Sequence, residues 1–147
     1  MSCEWANVRA TPSFTMCIRP YNDLISNVIR TQGAWPECSP LWNMWRRQHH
    51  DLFVDAGANI GSCTLSMASR GARTFAFEPN PDNRYYLDRS SKRNPSFPIT
   101  VFPHALGNAT ALSPMYVEAA NAGNSVLERP VHANRAPSHV VPIRKMD

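Results

Sequence analysis

Apolar positions change their period along this chain. Between residues 20 and 50 they recur at helical spacing, and from Leu52 onward they come in short runs between turn signals. Leu24, Ile25, Val28 and Ile29 lie on one face of a helix. Asn22 or Asp23 caps its start and Gly33 stops it. Ser39-Pro40 reads as a second helix start, a cap followed by proline at the first helical position. Leu41, Trp42 and Trp45 then form the apolar face, and the two tryptophans read as packing rather than as a ligand cage.

The run Leu52-Phe53-Val54 is consistent with a buried parallel strand that ends at Asp55. A glycine-marked turn, 56–61, follows, and Ser62 to Arg70 reads as a helix stopped by Gly71. Thr74 to Phe77 is a second strand, ending at Glu78. Asn80-Pro81 is a cap and first residue for a helix running to about Arg93, and Ile99 to Phe102 is a third strand. Strand, helix, strand, helix, strand implies two crossover units on a parallel sheet. Met115–Glu118 and Val140–Ile143 read as further strands, with Pro142 marking an edge, an end or a bulge. The expected architecture is therefore α/β, a Rossmann-like doubly wound and mostly parallel sheet in residues 51–147. A helical preamble occupies residues 1–50.

Composition narrows the classes. With 147 residues, 43% of them hydrophobic, the chain suffices for one domain with a core. No run approaches the roughly 20 apolar residues of a membrane span. Met1 to Thr15 shows no signal-peptide pattern. The compartment is left open, with the cytoplasm only as the default expectation. The formal charge of +4 is scattered, with Arg46-Arg47 and Lys92-Arg93 as the basic doublets, so nucleic acid is not the expected partner. Thirteen prolines lie mostly between elements and in the last third. Cys3, Cys17, Cys38 and Cys63 form no metal-ligand spacing with each other or with His49-His50. They read as free thiols, with a disulfide among the first three left open, and no metal is expected.

The segment Phe53 to Gly61 carries the chemistry. Ligands of doubly wound folds bind at the carboxyl ends of the strands. Gly57 permits a tight turn and close backbone approach. Gly61 sits where a side chain would crowd the helix start, whose N–H groups suit a carboxylate. Asp55 places a negative charge beside the same spot. Glu78, about 20 residues further on, ends the next strand, where an acid accepts both ribose hydroxyls. Together these residues imply a nucleoside-bearing ligand. A dinucleotide fingerprint fails because Ser62 occupies the place of the third glycine, and no G-K-[ST] of a P-loop follows.

Val54-Asp55-Ala56-Gly57-Ala58-Asn59-Ile60-Gly61 resembles motif I of Rossmann-like S-adenosylmethionine-dependent methyltransferases. With Phe77-Glu78-Pro79-Asn80-Pro81 it looks most like the FkbM family. Similarity extends more weakly to residues 21–37, to Pro103–Gly107, to Gly123–Leu127 and to the closing Val140–Asp147. The resemblance implies S-adenosyl-L-methionine as cofactor and O-methylation of a hydroxyl on a sugar or small metabolite. It implies Asp55, Gly57, Asn59 and Gly61 as the cofactor loop and Glu78 as the ribose ligand, with Asn80 shaping the adenosine site. His104 to Leu106 would lie near the adenine, and His104 is the one weak candidate for a catalytic base.

Two other classes compete. One is a non-catalytic cofactor-binding or interaction module of the same fold, and the other an NAD-dependent oxidoreductase. Motif I begins only near Phe53, and the chain ends at Lys145-Met146-Asp147. It is therefore expected to be the cofactor-binding front half of a longer enzyme.

Overall fold

The computed structural model describes residues 1–21, 23–47, 51–118, 121–127 and 136–146. A β-hairpin opens the chain, β1 (Glu4–Val8) pairing antiparallel with β2 (Phe14–Ile18). Two helices follow, α1 (Leu24–Gln32) and α2 (Cys38–Arg47). Next come β3 (Leu52–Ala56), α3 (Ser62–Ala68), β4 (Arg73–Phe77), α4 (Pro81–Arg93) and β5 (Ile99–Phe102). These three strands form a parallel sheet in the order β3-β4-β5. The last segment contributes β6 (Ala105–Gly107), β7 (Ala111–Glu118), β8 (Asn121–Val126) and β9 (His139–Lys145), in the order β6-β9-β7-β8. There β6 and β9 run parallel, while β7 is antiparallel to both of its neighbours.

The chain is thus a mixed α/β fold whose middle third alternates strand and helix as its periodicity requires. Local caps explain why two of the helices begin where they do. Asp23 accepts from the Ser26 amide at 3.0 Å, and Gly33 closes α1 in the left-handed conformation. Asn22 lies outside the described residues. At α4, Asn80 accepts from the Asp82 amide at 2.9 Å and proline occupies the first turn. Helix α2 starts at Cys38, one residue before the expected cap, and Trp42 and Trp45 stack on each other with ring centroids 5.2 Å apart.

Four expectations need correction. The preamble is not wholly helical, because its first 18 residues hold the hairpin. Phe14, Met16, Cys17 and Ile18 are buried together with Ile29, Ile60, Leu65 and Tyr86, so the hairpin is part of the main core. The cysteines are not free thiols: Cys3 bonds Cys17, and Cys38 bonds Cys63. Folding brings their Cα atoms to 5.4 and 5.0 Å, inside the bonding range, although they are distant in sequence.

Strand β3 is not buried on both faces. Among the described residues it pairs with β4 alone, and Leu52 and Val54 stay more than a third exposed. Nor is the sheet mostly parallel throughout, since the strands after β5 form a separate, largely antiparallel group. Within that group β9 is internal, yet Pro142 is locally edge-like. It faces Leu112 of β7, and the β6 ladder starts one residue later at Ile143. Its missing N–H therefore interrupts no ladder on that side.

Candidate functional site

The site begins with two strand ends that parallel pairing sets side by side. Asp55 stands opposite Ala76 and Ala56 opposite Phe77. The loop after β3 then folds over the end of β4: the amides of Gly57 and Ala58 donate to the Phe77 carbonyl at 2.9 and 3.0 Å. Gly57 (φ 83°), Asn59 (φ 54°) and Gly61 (φ 92°) all take positive φ. This tightens the turn and aims its amides inward. A Cβ on Gly57 would meet nothing within 4 Å, whereas one on Gly61 would lie 2.5 Å from Leu87 Cδ1. Gly57 thus leaves an open approach, and Gly61 serves the packing of α3 against α4.

Glu78 is drawn back onto this loop. Its Oε2 accepts from the Asn59 amide at 2.7 Å, and its Oε1 from the Asn80 amide at 2.8 Å. The Asn83 amide group adds a longer bond to Oε1 at 3.4 Å. Asn83 in turn accepts from the guanidinium of Arg19, which is buried and ion-paired with Asp23 at 3.7 Å. A carboxylate has about four acceptor positions, and among the described residues Oε2 uses one of its two. Glu78 is only 4% exposed.

Burial is the largest influence on this group and raises its pKa. The amides of Asn80 and Asn59 and the side chain of Asn83 oppose the rise, and the charge of Asp55 adds to it. Asp55 is raised for the same leading reason, against the hydrogen bond it accepts from Thr64 Oγ1 at 2.6 Å. Glu78 is buried and Asp55 half-buried, and each carboxyl is more easily protonated than in water.

The remaining expected residues divide. Asn80 is fully buried, and its side chain is occupied: Oδ1 caps α4, and Nδ2 donates to Ser125 Oγ at 3.2 Å. Its contribution is to fix the loop after β4. His104 lies past the end of β5, its ring 5.3 Å from that of Phe77 and 5.8 Å from that of Phe102. Burial first, then the charge of Arg144, lowers its pKa and favours the neutral imidazole.

The amides of the loop itself are bonded internally. Those of Gly57, Ala58, Asn59 and Gly61 are bonded to Phe77, Phe77, Glu78 and Ala58, and that of Ile60 to the Asn59 side chain at 2.8 Å. The loop spends its donors on holding its own shape. Sequence reasoning missed Arg19, Asn83 and Thr64, which hold the two carboxylates in place. Thr64 was legible in principle as a hydroxyl on the first turn after the loop, whereas Arg19 carried no local signal. Among the described residues, no group of three or more His, Cys, Asp or Glu is arranged to hold a metal ion, and no helix is long and apolar enough to cross a membrane.

No protein-family model matches the chain, and no curated protein matches it either.

Proposed function

We propose that the chain binds S-adenosylmethionine and serves methyl transfer to a hydroxyl oxygen of a sugar or small metabolite. One observation carries this reading. The Glu78 carboxylate sits on the Asn59 amide, so the strand-end acid and the glycine loop form a single cradle beside Asp55. In that cradle Glu78 would take a ribose hydroxyl on its second Oε2 position, and the open face of Gly57 would admit the nucleoside. When bound, the cofactor supplies a methyl group already activated by its sulfonium. The protein's part is then to orient the acceptor and remove its proton. His104, neutral and partly exposed at the mouth of the parallel sheet, is the group suited to hold that proton.

Calorimetric titration with S-adenosylmethionine tests the binding step. Saturable binding, lost in a folded Glu78→Ala variant, is expected. A well-folded chain that gives no heat, or an unchanged affinity after that substitution, would count against the reading. Because Glu78→Ala also removes bonds to the loop, Asp55→Ala provides a second variant.

A non-catalytic module of the same fold is the competing reading, favoured by the loop amides being satisfied internally. Methyl incorporation from labelled cofactor over a panel of hydroxylated acceptors separates the two. An NAD titration addresses the dinucleotide alternative, for which no binding is expected.

A further inference from the structure

A cavity of about 230 Å³ lies away from this cradle, between the hairpin, α1, α2 and the outer side of α3. None of Asp55, Gly57, Asn59, Glu78 or Asn80 lines it. We propose that it is a binding site for a small organic carboxylate with an apolar body.

The polar wall comes from α3 and the turn after it. Ser62, Ser66 and Arg70 are spaced four apart, so they form one row. The Arg70 guanidinium is held before any ligand arrives. Its Nη1 donates to Ser66 Oγ at 3.0 Å and its Nε to the Thr11 carbonyl at 3.2 Å, and it lies 5.4 Å from the Trp42 ring centroid. Arg9 adds a second cation from the hairpin side, its stem crossing Gly33 where a Cβ would lie 2.8 Å from Cδ. The Ser62 hydroxyl is buried with no hydrogen-bond partner among the described residues, a donor left in want of an acceptor. No Asp or Glu lines the cavity. Two cations and an unpartnered hydroxyl with no internal counter-charge call for an anion.

Val8, Met16, Ile29 and Trp35 add apolar groups to a lining whose accessible surface is mainly polar. Those groups give a small apolar body something to rest on beside the charged row. The volume is below the roughly 300–1,000 Å³ of sites for drug-sized ligands, so the occupant is small. A planar guanidinium matches a carboxylate in both spacing and charge.

Benzoate is a suitable probe, with benzamide as its uncharged counterpart and inorganic phosphate as charge without a body. Titration of the folded, oxidised chain is expected to give saturable one-site binding of benzoate. Benzamide and phosphate should bind at least about tenfold more weakly, since each lacks half of the recognition. Arg70→Gln should weaken benzoate by a similar factor. Arg9→Gln, a change at an exposed residue, tests the charge without touching the Arg70 contacts. Amide shifts in nuclear magnetic resonance should centre on Trp35, Ser39 and Ser62. The proposal is overturned by no saturation at millimolar benzoate, by equal binding of benzamide, or by tighter binding of phosphate. It is also overturned if both arginine variants keep full affinity, or if the shifts centre elsewhere.

Discussion

A side chain at position 61 would have nowhere to go. Gly61 combines φ 92° with a Cβ position 2.5 Å from Leu87 Cδ1. Gly61→Ala is therefore expected to cost about 1–3 kcal/mol from overpacking, and about 1 kcal/mol more from the left-handed backbone. Chemical denaturation of the four proteins of a double-mutant cycle checks this. The Gly61→Ala penalty should shrink, without vanishing, in a Leu87→Ala background, because only the collision is relieved. An undiminished penalty would mean that the backbone alone sets it. The sequence suggested crowding at this position, but not that the crowding partner would be a leucine of the next helix.

Asp55 supports a second prediction, with a definite sign. Its folded pKa is raised by burial, as is that of Glu78, so the folded state holds more protons than the unfolded one just above the ordinary carboxylate range. Stability from these groups is fully present below their unfolded pKa and is lost as pH rises through the raised folded values. The lowered His104 acts oppositely, losing stability as pH falls through its folded pKa, so the total slope is mixed. Comparison with Asp55→Asn isolates one contributor. The asparagine can still accept from Thr64 and carries no charge toward Glu78. It should raise Tm at pH 7 by roughly 2–4 °C and reduce the stability difference between pH 5 and pH 7. An unchanged pH profile would show that burial does not raise Asp55.

At the scale of elements, the strongest local signals were also the most reliable. Helices α1 and α4 follow their caps closely, because Asp23 and Asn80 bond amides only a few residues away. The hairpin carried no comparable signal. Glu4 to Val8 mixes tryptophan, alanine and asparagine, and its burial depends on α3 and α4, which lie far along the chain. The Cys17 amide, for example, donates to Ser90 Oγ at 2.9 Å, and Asn94 donates to the Thr15 carbonyl at 2.8 Å. The sequence leaves a disulfide among the first three cysteines open, and Cys3–Cys17 is one; Cys38–Cys63 was hidden, since pairing depends on where the folded chain brings the sulfurs. The two bonds span separations of 14 and 25 residues. Closing loops of this order is worth about 3 kcal/mol each in the unfolded-state account. The native oxidised chain should therefore show no thiol to Ellman's reagent. Replacing Cys38 and Cys63 together by serine should lower stability by about that amount, without unfolding the hairpin, which Cys3 and Cys17 tie separately. Reactive thiols in the folded, unreduced chain would contradict both bonds.

Across the whole molecule, the parallel sheet sets its two strand-end carboxylates at one end and leaves one side uncovered. Strand β3 must lie beside β4 for Asp55 and the loop to meet Glu78, and that requirement leaves its other edge unpaired among the described residues. The same strand exposes Leu52 and Val54. An unpaired edge flanked by exposed apolar side chains is a template for further strands. Phe53 and Asp55, which alternate with them, are the less exposed residues of β3. Changing Leu52 and Val54 to threonine keeps the strand's backbone preference and removes apolar surface on the exposed side. The double variant should change stability by only about 0.5 kcal/mol, as expected for exposed positions, while lowering concentration-dependent association measured by light scattering. It should also keep whatever nucleoside affinity the original chain has, because neither side chain contacts the loop through the hydrogen bonds that shape it. If association is unaltered, the open edge of β3 is not what brings molecules together. If nucleoside affinity falls instead, the position of β3 against β4 depends on its exposed face as well as on its ladder.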